Sequence, residues 1–301
     1  MRSRVVPRRS RTSAHLGALA AALALGAPLA AQGRPTGAPP STAPIGNSIA
    51  TTEAESEHVL RVCGDPDNLP FSNEKQEGFE NRIADLIARD LGDTVHYLWW
   101  PHRRGYVRST LRAGDCDMLI GVPLGFDPVA TTKPYYRSTY YIVTRTDQSP
   151  RVASLDDPAL RKLRVGVNII GYDYTNTPPA HALGARGIQV KGYSTFYGPG
   201  AGSEPQDIID AVARKEIDVA VVWGPLAGYF AKRSNVPLTL VALPDSDDAS
   251  ATGYPFAYDI AIGVRRSDKL LRAQIDSILV RRRDDIARIL NEYGIPTVTK
   301  K

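Results

Sequence analysis

The sequence predicts an α/β protein with two lobes, each a mostly parallel β-sheet flanked by helices, joined by a double-crossover hinge. Three observations support this prediction. Strand-like apolar runs alternate with amphipathic helical segments from Val59 onward. The alternation stops at a polar break over Thr146–Ser149 and then restarts. A last strand and helical tail, residues 260–293, belong to neither unit, so we expect them to return to the first lobe.

The first 31 residues have the composition of a secretory signal peptide. They contain five arginines and no acidic residue, and an Ala- and Leu-rich run, Leu16–Ala30, follows the arginines. This pattern predicts export to the periplasm with cleavage near Ala31. The apolar run is too short for a comfortable membrane span, so we expect no stable membrane insertion. An uncleaved N-terminal anchor is the alternative.

The formal charge of +5 comes from this leader. The chain has 37 basic and 32 acidic residues, and without the five leader arginines it has 32 of each. A neutral body lacks the basic surface that nucleic-acid binding requires. We therefore expect no nucleic-acid partner.

The remaining chain divides at its changes in composition. Residues 32–57 are rich in Gly, Pro, Ser, Thr and Ala, which predicts a disordered spacer. Residues 58–146 then form the first part of lobe 1 and residues 147–243 form lobe 2. Residues 244–301 supply the hinge return and the second part of lobe 1.

Periodicity places the elements of lobe 1 in the order strand, helix, strand, helix, strand. This order predicts a parallel sheet covered by helices. The predicted strands are Val59–Cys63, Val95–Trp100 and Met118–Val122, and the predicted helices are Glu80–Leu91 and Tyr106–Ala113.

Lobe 2 repeats the same alternation. Its predicted strands are Leu163–Val167, Ile188–Val190 and Asp218–Trp223, and its predicted helices are His181–Ala185, Asp207–Lys215 and Pro225–Lys232. The tail adds a strand, Ile260–Val264, and two helices within Lys269–Tyr293. Crossovers near residues 145–149 and 243–259 would form a hinge beside a cleft that closes on a ligand.

The predicted mature chain has two cysteines, Cys63 and Cys116. An even number of cysteines in an exported protein predicts a disulfide. Two buried free thiols are the alternative.

Ligands of open α/β sheets bind at the carboxyl ends of the strands. Aromatic, amide and carboxylate side chains there suit a small ligand or an inserted side chain of a partner. The candidate cleft residues are Asp65, Asn68, Phe71, Asn73, Trp99, Trp100, Arg103, Pro123, Phe126, Tyr135, Asn168, Tyr172, Asp173, Trp223 and Pro225.

Several candidates have a structural alternative. Asp65 and Asn68 lie beside turn residues and could shape a loop. One ring of the Trp99–Trp100 pair is expected in the core. Pro134–Tyr136 could fix a packed loop. Arg103 and Arg104 are either a solvated pair or an anion site.

Motifs of catalysis and metal binding are missing from the sequence. Its histidines lack zinc-ligand spacing, and no nucleophile elbow or phosphate-binding glycine loop occurs. The segment Asp65–Asn68 begins like a calcium loop but lacks the required distal Gly and Glu. We therefore expect a non-enzymatic protein without a metal or cofactor.

Several strings resemble a known family. Arg61–Cys63 and Pro70–Asn81 resemble the first βα unit of amino-acid-type solute-binding proteins. Four further strings resemble, more narrowly, the binding-protein-like partners of quinoprotein dehydrogenases, the MoxJ/XoxJ type: Trp99–Pro101, Pro134–Tyr140, Asn176–Leu183 and Ala220–Tyr229. The resemblance runs from about Val59 to Pro296.

This resemblance implies a type II periplasmic solute-binding-protein fold. It also implies an accessory role beside a PQQ-dependent methanol or alcohol dehydrogenase, the lanthanide-dependent kind included. The cytochrome c of that enzyme is a further candidate partner. The alternative function is that of an extracellular solute-binding protein of an ABC transporter.

The chain differs from amino-acid-binding proteins at a position that matters for binding a ligand carboxylate. Those proteins place an arginine just after the third strand, where it grips the ligand carboxylate. The corresponding stretch here, residues 121–128, contains no arginine. A bidentate carboxylate clamp is therefore missing at that position, and free amino acids become less suitable ligands.

Overall fold

The computed structural model describes residues 58–170, 176–245 and 253–300. The predicted signal peptide and spacer lie outside these ranges.

The strands are β1 (Val59–Gly64), β2 (Asp67–Asn68), β3 (Ser72–Asn73), β4 (Thr94–Trp99), β5 (Met118–Pro123), β6 (Ala130–Thr131), β7 (Tyr136–Arg145), β8 (Val165–Ile169), β9 (Val190–Ser194), β10 (Val219–Trp223), β11 (Leu238–Ala242) and β12 (Ala257–Val264). The helices are α1 (Phe79–Leu91), α2 (Tyr106–Ser109), a 3-10 turn (Pro158–Arg161), α3 (Pro178–Ala185), α4 (Asp207–Ala213), α5 (Gly224–Arg233), α6 (Lys269–Arg281) and α7 (Arg283–Tyr293). Among the described helices none is long and apolar enough to cross a membrane.

Ten of these strands form one curled, mixed sheet, in which the main path runs β4-β1-β5-β12-β7-β10-β8-β9. In the first half of the sheet, β4, β1 and β5 are parallel and β12 is antiparallel to β5. In the second half, β9, β8 and β10 are parallel, and β7 is antiparallel to β10. Strand β11 pairs with β7, and β6 pairs with β12. The predicted α/β class with mostly parallel half-sheets is confirmed.

Strand β7 connects the two halves. Its residues Tyr136–Thr139 pair with β12, whereas Tyr140–Arg145 pair with β10 and β11. The sequence analysis did not identify β7 or β11 as strands. Polar residues interrupt the apolar pattern of β7, and tertiary hydrogen bonds satisfy them: Ser138 Oγ donates to Pro296 O (2.7 Å) and Thr139 Oγ1 donates to Leu243 O (2.9 Å).

The C-terminal tail packs on the first half of the sheet. Strand β12 pairs with β5, and helices α6 and α7 contact α1. The apolar faces of these elements share one core, which includes Phe79, Ile83, Ile278 and Ile289. Helical spacing of the apolar residues in α1 and α7 is what places them on one buried face.

Cys63 and Cys116 form a disulfide, with Cα atoms 5.5 Å apart, as the sequence predicted. The bridge joins the end of β1 to the loop before β5. It lies in an apolar cluster with Leu111, Leu119 and Val122 on the opposite face of the sheet from α1.

Several predicted boundaries differ from the structure by two to four residues, and two of them have a local hydrogen-bonding reason. Helix α2 ends at Ser109 instead of Ala113, because Thr110 leaves the helical region and its hydroxyl donates to Tyr106 O (2.8 Å). Strand β9 begins at Val190 rather than Ile188. Ile188 instead closes the turn after α3, where its N–H donates to Leu183 O (3.0 Å).

Candidate functional site

A cleft lies where the two halves of the sheet meet, at the carboxyl ends of the parallel strands. It consists of two adjoining cavities of about 310 and 370 Å³, which share Phe71, Tyr140 and Trp223. Their remaining described lining residues are Asn68, His102, Gly121, Pro123, Tyr136, Asn168, Ile170, Thr177, Thr195, Phe196, Tyr197, Leu226, Tyr258 and Ile260.

Trp223 stands at the centre of the cleft. It is the last residue of β10, and its ring packs edge-on against Tyr140 (centroids 5.2 Å apart) and Tyr258 (6.0 Å). Gly224 follows, and a Cβ there would lie 2.4 Å from Ser138 Oγ and 2.7 Å from the Thr139 carbonyl oxygen. Only glycine lets the chain turn from β10 into α5 this close to β7, so this turn sets the position of the indole.

Two side-chain amides line the cleft from opposite halves. Asn68 follows β1, and Asn168 lies near the end of β8 with 6% of its surface exposed. The main chain of Asn168 is held by Thr177, whose Oγ1 donates to the Asn168 carbonyl (2.6 Å). Neither side-chain amide has a hydrogen-bond partner within the described part of the chain. Both are therefore available to donate to and accept from a ligand.

The described lining of the cleft is aromatic and uncharged. It contains no lysine, arginine, aspartate or glutamate. Burial raises the pKa of Tyr140 and of Tyr197 above the usual tyrosine value, so both hydroxyls stay protonated at neutral pH. The described lining thus offers no cation for a ligand carboxylate, in agreement with the missing arginine after β5.

Two of the polar candidates hold loops together outside the cleft lining. The Asp65 carboxylate accepts from the N–H of Asp67 (3.1 Å) and of His102 (2.7 Å). The Asn73 side chain donates to Glu77 Oε2 (2.8 Å) and accepts from the Glu77 N–H (2.8 Å). These groups are already bonded within the protein, which leaves them little capacity for a ligand.

Other aromatic candidates also lie outside the cleft lining. Trp99 stacks on Tyr97 with ring centroids 4.4 Å apart. Trp100 is 43% exposed. Tyr135 is partly buried and packs against the core of the first half of the sheet. Pro225 is buried in the first turn of α5. These four residues are not brought together with Trp223.

The remaining candidates divide between two places. Pro123 lines the cleft and also a second cavity in the first half of the sheet, of about 520 Å³. Arg103 and Phe126 line this second cavity and not the described part of the cleft. Tyr172 and Asp173 lie outside the described residues.

The sequence analysis missed several lining residues, of which Tyr136, Tyr140, Phe196, Tyr197 and Tyr258 are the largest. Tyr140 is the direct backbone partner of Trp223 in the β7–β10 pair, so recognising β7 would have found it. Phe196 and Tyr197 follow β9. The strand-end rule would have selected them if β9 had not been placed too early in the sequence.

Two half-sheets linked by antiparallel strands beside a cleft at the strand ends define a binding protein of the type II periplasmic fold. The chain belongs to the family of Protein MoxJ. It is 31% identical to Protein MoxJ of Methylorubrum extorquens over 303 residues, which cover 96% of this chain and 97% of that protein. It is 29% identical to Protein MoxJ of Paracoccus denitrificans, covering 79% of this chain and 88% of that protein. No protein-family model matches the chain.

Solved structures agree with this assignment. The periplasmic binding protein XoxJ from Methylobacterium extorquens AM1 is 33% identical, with a TM-score of 0.64, covering 80% of this chain and 100% of that one. MxaJ from Methlophaga aminisulfidivorans MPT is 25% identical, with a TM-score of 0.68, covering 79% of this chain and 100% of that one. An ancestral amino acid-binding protein, 18% identical with a TM-score of 0.56 over 79% of this chain and 96% of that one, shares the fold alone.

Proposed function

We propose that this chain is a periplasmic accessory partner of a PQQ-dependent methanol or alcohol dehydrogenase. It acts in the maturation or activation of that enzyme by protein contact, without a catalytic group of its own. Membership of the MoxJ family and the likeness to XoxJ and MxaJ support the proposal. The observation that carries it is the uncharged aromatic cleft around Trp223.

The cleft suits an apolar side chain of a partner. The rings of Tyr140, Trp223 and Tyr258 offer packing surface, and desolvated aromatic pockets are typical of the residues that dominate protein interfaces. Asn68 and Asn168 can bond the main-chain amides on either side of the inserted side chain. A partner's segment would therefore be held by packing and by its backbone, without a salt bridge in the cleft.

A second candidate function is the binding of a small uncharged solute for transport. It is favoured by Asn68 and Asn168, whose amides have no hydrogen-bond partner among the described residues and face the same cavity from opposite halves. A few placed polar groups in an apolar cavity are typical of ligand sites. It predicts one solute with a dissociation constant near 1 μM, about −8 kcal/mol.

The test is binding of the exported protein to the purified dehydrogenase, measured by calorimetry together with a thermal-shift screen of uncharged solutes. We expect binding to the dehydrogenase that Trp223→Ala weakens by at least about tenfold, through loss of a central aromatic contact. Leu270→Ala is the matched control, because Leu270 is a 74% exposed apolar residue on α6.

Two results decide between the functions. A solute that raises the melting temperature, with no binding to the dehydrogenase, would replace the partner role with the transport role. If the proteins do not associate and gene deletion leaves dehydrogenase activity intact, the partner role is wrong.

A further inference from the structure

The second cavity, of about 520 Å³, is bounded by residues 102–105, helix α2 and the loop after β5. Buried Leu119 and Val122, with Phe126, form an apolar floor. Its rim carries the exposed side chains of Arg103, Arg104, Arg108 and Arg112. We call it the arginine-rimmed cavity.

The positive charge of this rim is not compensated. Arg112 donates from Nε (3.3 Å) and Nη2 (3.2 Å) to the carbonyl oxygen of Pro128. The side chains of Arg103, Arg104 and Arg108 make no hydrogen bond or ion pair within residues 58–170, 176–245 and 253–300. No aspartate or glutamate is among the described lining residues.

Several other arginines of the protein are paired with carboxylates. Arg61 and Arg265 share the carboxylate of Asp117 (2.6 and 2.8 Å). Arg281 and Arg282 likewise share Asp90. Four like charges around one cavity repel each other and give the isolated protein no stability. Such an arrangement indicates recognition of an external anion, because guanidinium groups bind carboxylates with two parallel hydrogen bonds.

The backbone behind the rim is held in place. The disulfide Cys63–Cys116 lies in the apolar cluster that forms the cavity floor. Arg265 donates from Nη1 to the carbonyl oxygens of Leu111 and Cys116. A fixed backbone reduces the ordering that binding requires.

Exposed apolar side chains flank the cavity in sequence. Trp100 (43% exposed) lies two residues before His102, and Leu124 (48% exposed) directly follows Pro123. Both His102 and Pro123 line the cavity. Tryptophan and arginine are enriched among the residues that dominate protein interfaces. The combination favours a protein segment over a free inorganic anion.

We propose that the arginine-rimmed cavity docks an acidic segment of a partner protein. One apolar side chain of the segment enters the cavity between Leu119 and Phe126, and its flanking carboxylates bind Arg103, Arg104 and Arg108. This inference deepens the proposed function and rests on it for the identity of the partner, whereas the chemistry of the segment rests on the cavity.

The test uses a fluorescent peptide of a central phenylalanine flanked by three glutamates on each side, and the full-length exported protein. We expect binding that falls at least about tenfold when salt rises from about 50 to about 300 mM, because screening weakens exposed charges. The triple variant R103E/R104E/R108E should bind at least about tenfold more weakly. The same peptide with lysines should not bind.

The control variant K75E/K269E/R272E makes the same change in net charge at exposed positions outside the cavity, and it should bind the acidic peptide like the wild type. Neither triple variant should lower the melting temperature, because the altered side chains have no ion pair within the described residues. If the glutamate variant fails to fold, R103A/R104A/R108A replaces it with the same expectation.

Three results would overturn the inference: no binding of the acidic peptide, equal loss in both charge variants, or binding of phosphatidylglycerol vesicles in place of the peptide. A failure of the proposed function would give a different experimental result. In that case the dehydrogenase does not bind, while the acidic peptide still binds in a manner that depends on Arg103, Arg104 and Arg108.

Discussion

The carboxyl group of Glu80 packs against Gly121, so closely that a Cβ at position 121 would lie 2.1 Å from Oε1. Gly121 has a φ of +81° and lines both the cleft and the arginine-rimmed cavity. The β5–β12 pairing shifts register here, since Ile120 and Gly121 together oppose Ile262. The first turn of α1 thus meets the wall of both cavities at a β-bulge.

Gly121→Ala should destabilise the protein by about 3 kcal/mol, because it combines a left-handed backbone with a clash against a buried side chain. Urea denaturation measures the loss. Gly125→Ala is the control, since Gly125 has a φ of +78° but no atom within 4 Å of its Cβ position. It should cost about 1 kcal/mol. Equal losses in the two variants would mean that the contact with Glu80 is unimportant.

Glu80→Gln should remove a pH dependence of stability. Burial, with a smaller effect of Asp65, raises the pKa of Glu80 to about 8. The native state therefore keeps a proton that the unfolded state loses above its ordinary pKa of 4.5. Stability falls by about 1.4 kcal/mol per pH unit between these two values. The glutamine variant should be clearly more stable than the wild type at pH 8 and similar near pH 4.5.

Thermal unfolding at a series of pH values checks this prediction. Glu74→Gln is a matched control, because Glu74 is exposed. A stability difference between Glu80→Gln and the wild type that stays constant from pH 4.5 to pH 8 would contradict it.

Asp117→Asn should destabilise the protein at neutral pH and much less in acid, because Asp117 stabilises the native state only when it is ionised. Burial opposes ionisation of Asp117, but hydrogen bonds from Arg61 and Arg265 lower its pKa below the usual value. Its contribution is present above the unfolded pKa of about 3.9 and is lost as the pH falls through the lower native value. We expect a loss of about 2 kcal/mol at pH 7 and much less at pH 2 to 3.

Chemical denaturation at the two pH values measures that difference. Asp127→Asn serves as the control, since the Asp127 side chain is 95% exposed and pairs only with Arg266 in the described structure. It should change stability by less than about 0.5 kcal/mol at pH 7. A loss for Asp117→Asn that is the same at both pH values would exclude an ionic contribution.

Removing the disulfide with Cys63→Ala and Cys116→Ala should cost about 4 kcal/mol, because the bridge closes a loop with a sequence separation of 53. Urea denaturation of the double variant measures the cost. The wild type in reducing agent is the control and should unfold at the same urea concentration. If reduction leaves the wild type unchanged, the bridge does not stabilise the native state.

Local sequence patterns were sufficient to predict a helix or strand where its apolar residues follow a regular pattern. The apolar spacing in α1 and the apolar run of β10 identified both elements to within a residue or two. The disulfide followed from composition and predicted compartment. Strand β7 escaped recognition because Arg137, Ser138 and Thr139 are polar but bonded to distant residues.

The candidate residues of the cleft also divide into those that the sequence placed correctly and those that it did not. Asn68, Phe71, Pro123, Asn168 and Trp223 were found because they follow strands that the sequence reveals. Asp65 and Asn73 also follow β1, but hydrogen bonds hold their side chains to neighbouring loops. The strand-end rule considers only the position after a strand, so it cannot separate these two residues from those that face the cleft.

The sequence by itself predicted the α/β class, the disulfide and the order of most elements, because periodicity and composition are local properties of the chain. The family was indicated separately, by the resemblance of several short strings. Only the tertiary structure decided which strand ends face each other and which charges remain unpaired. Tyr140 reaches Trp223 through the pairing of β7 with β10, and Arg265 reaches Asp117 across 148 residues. Such contacts form only when the whole sheet assembles, so no local pattern encodes the partners of a side chain.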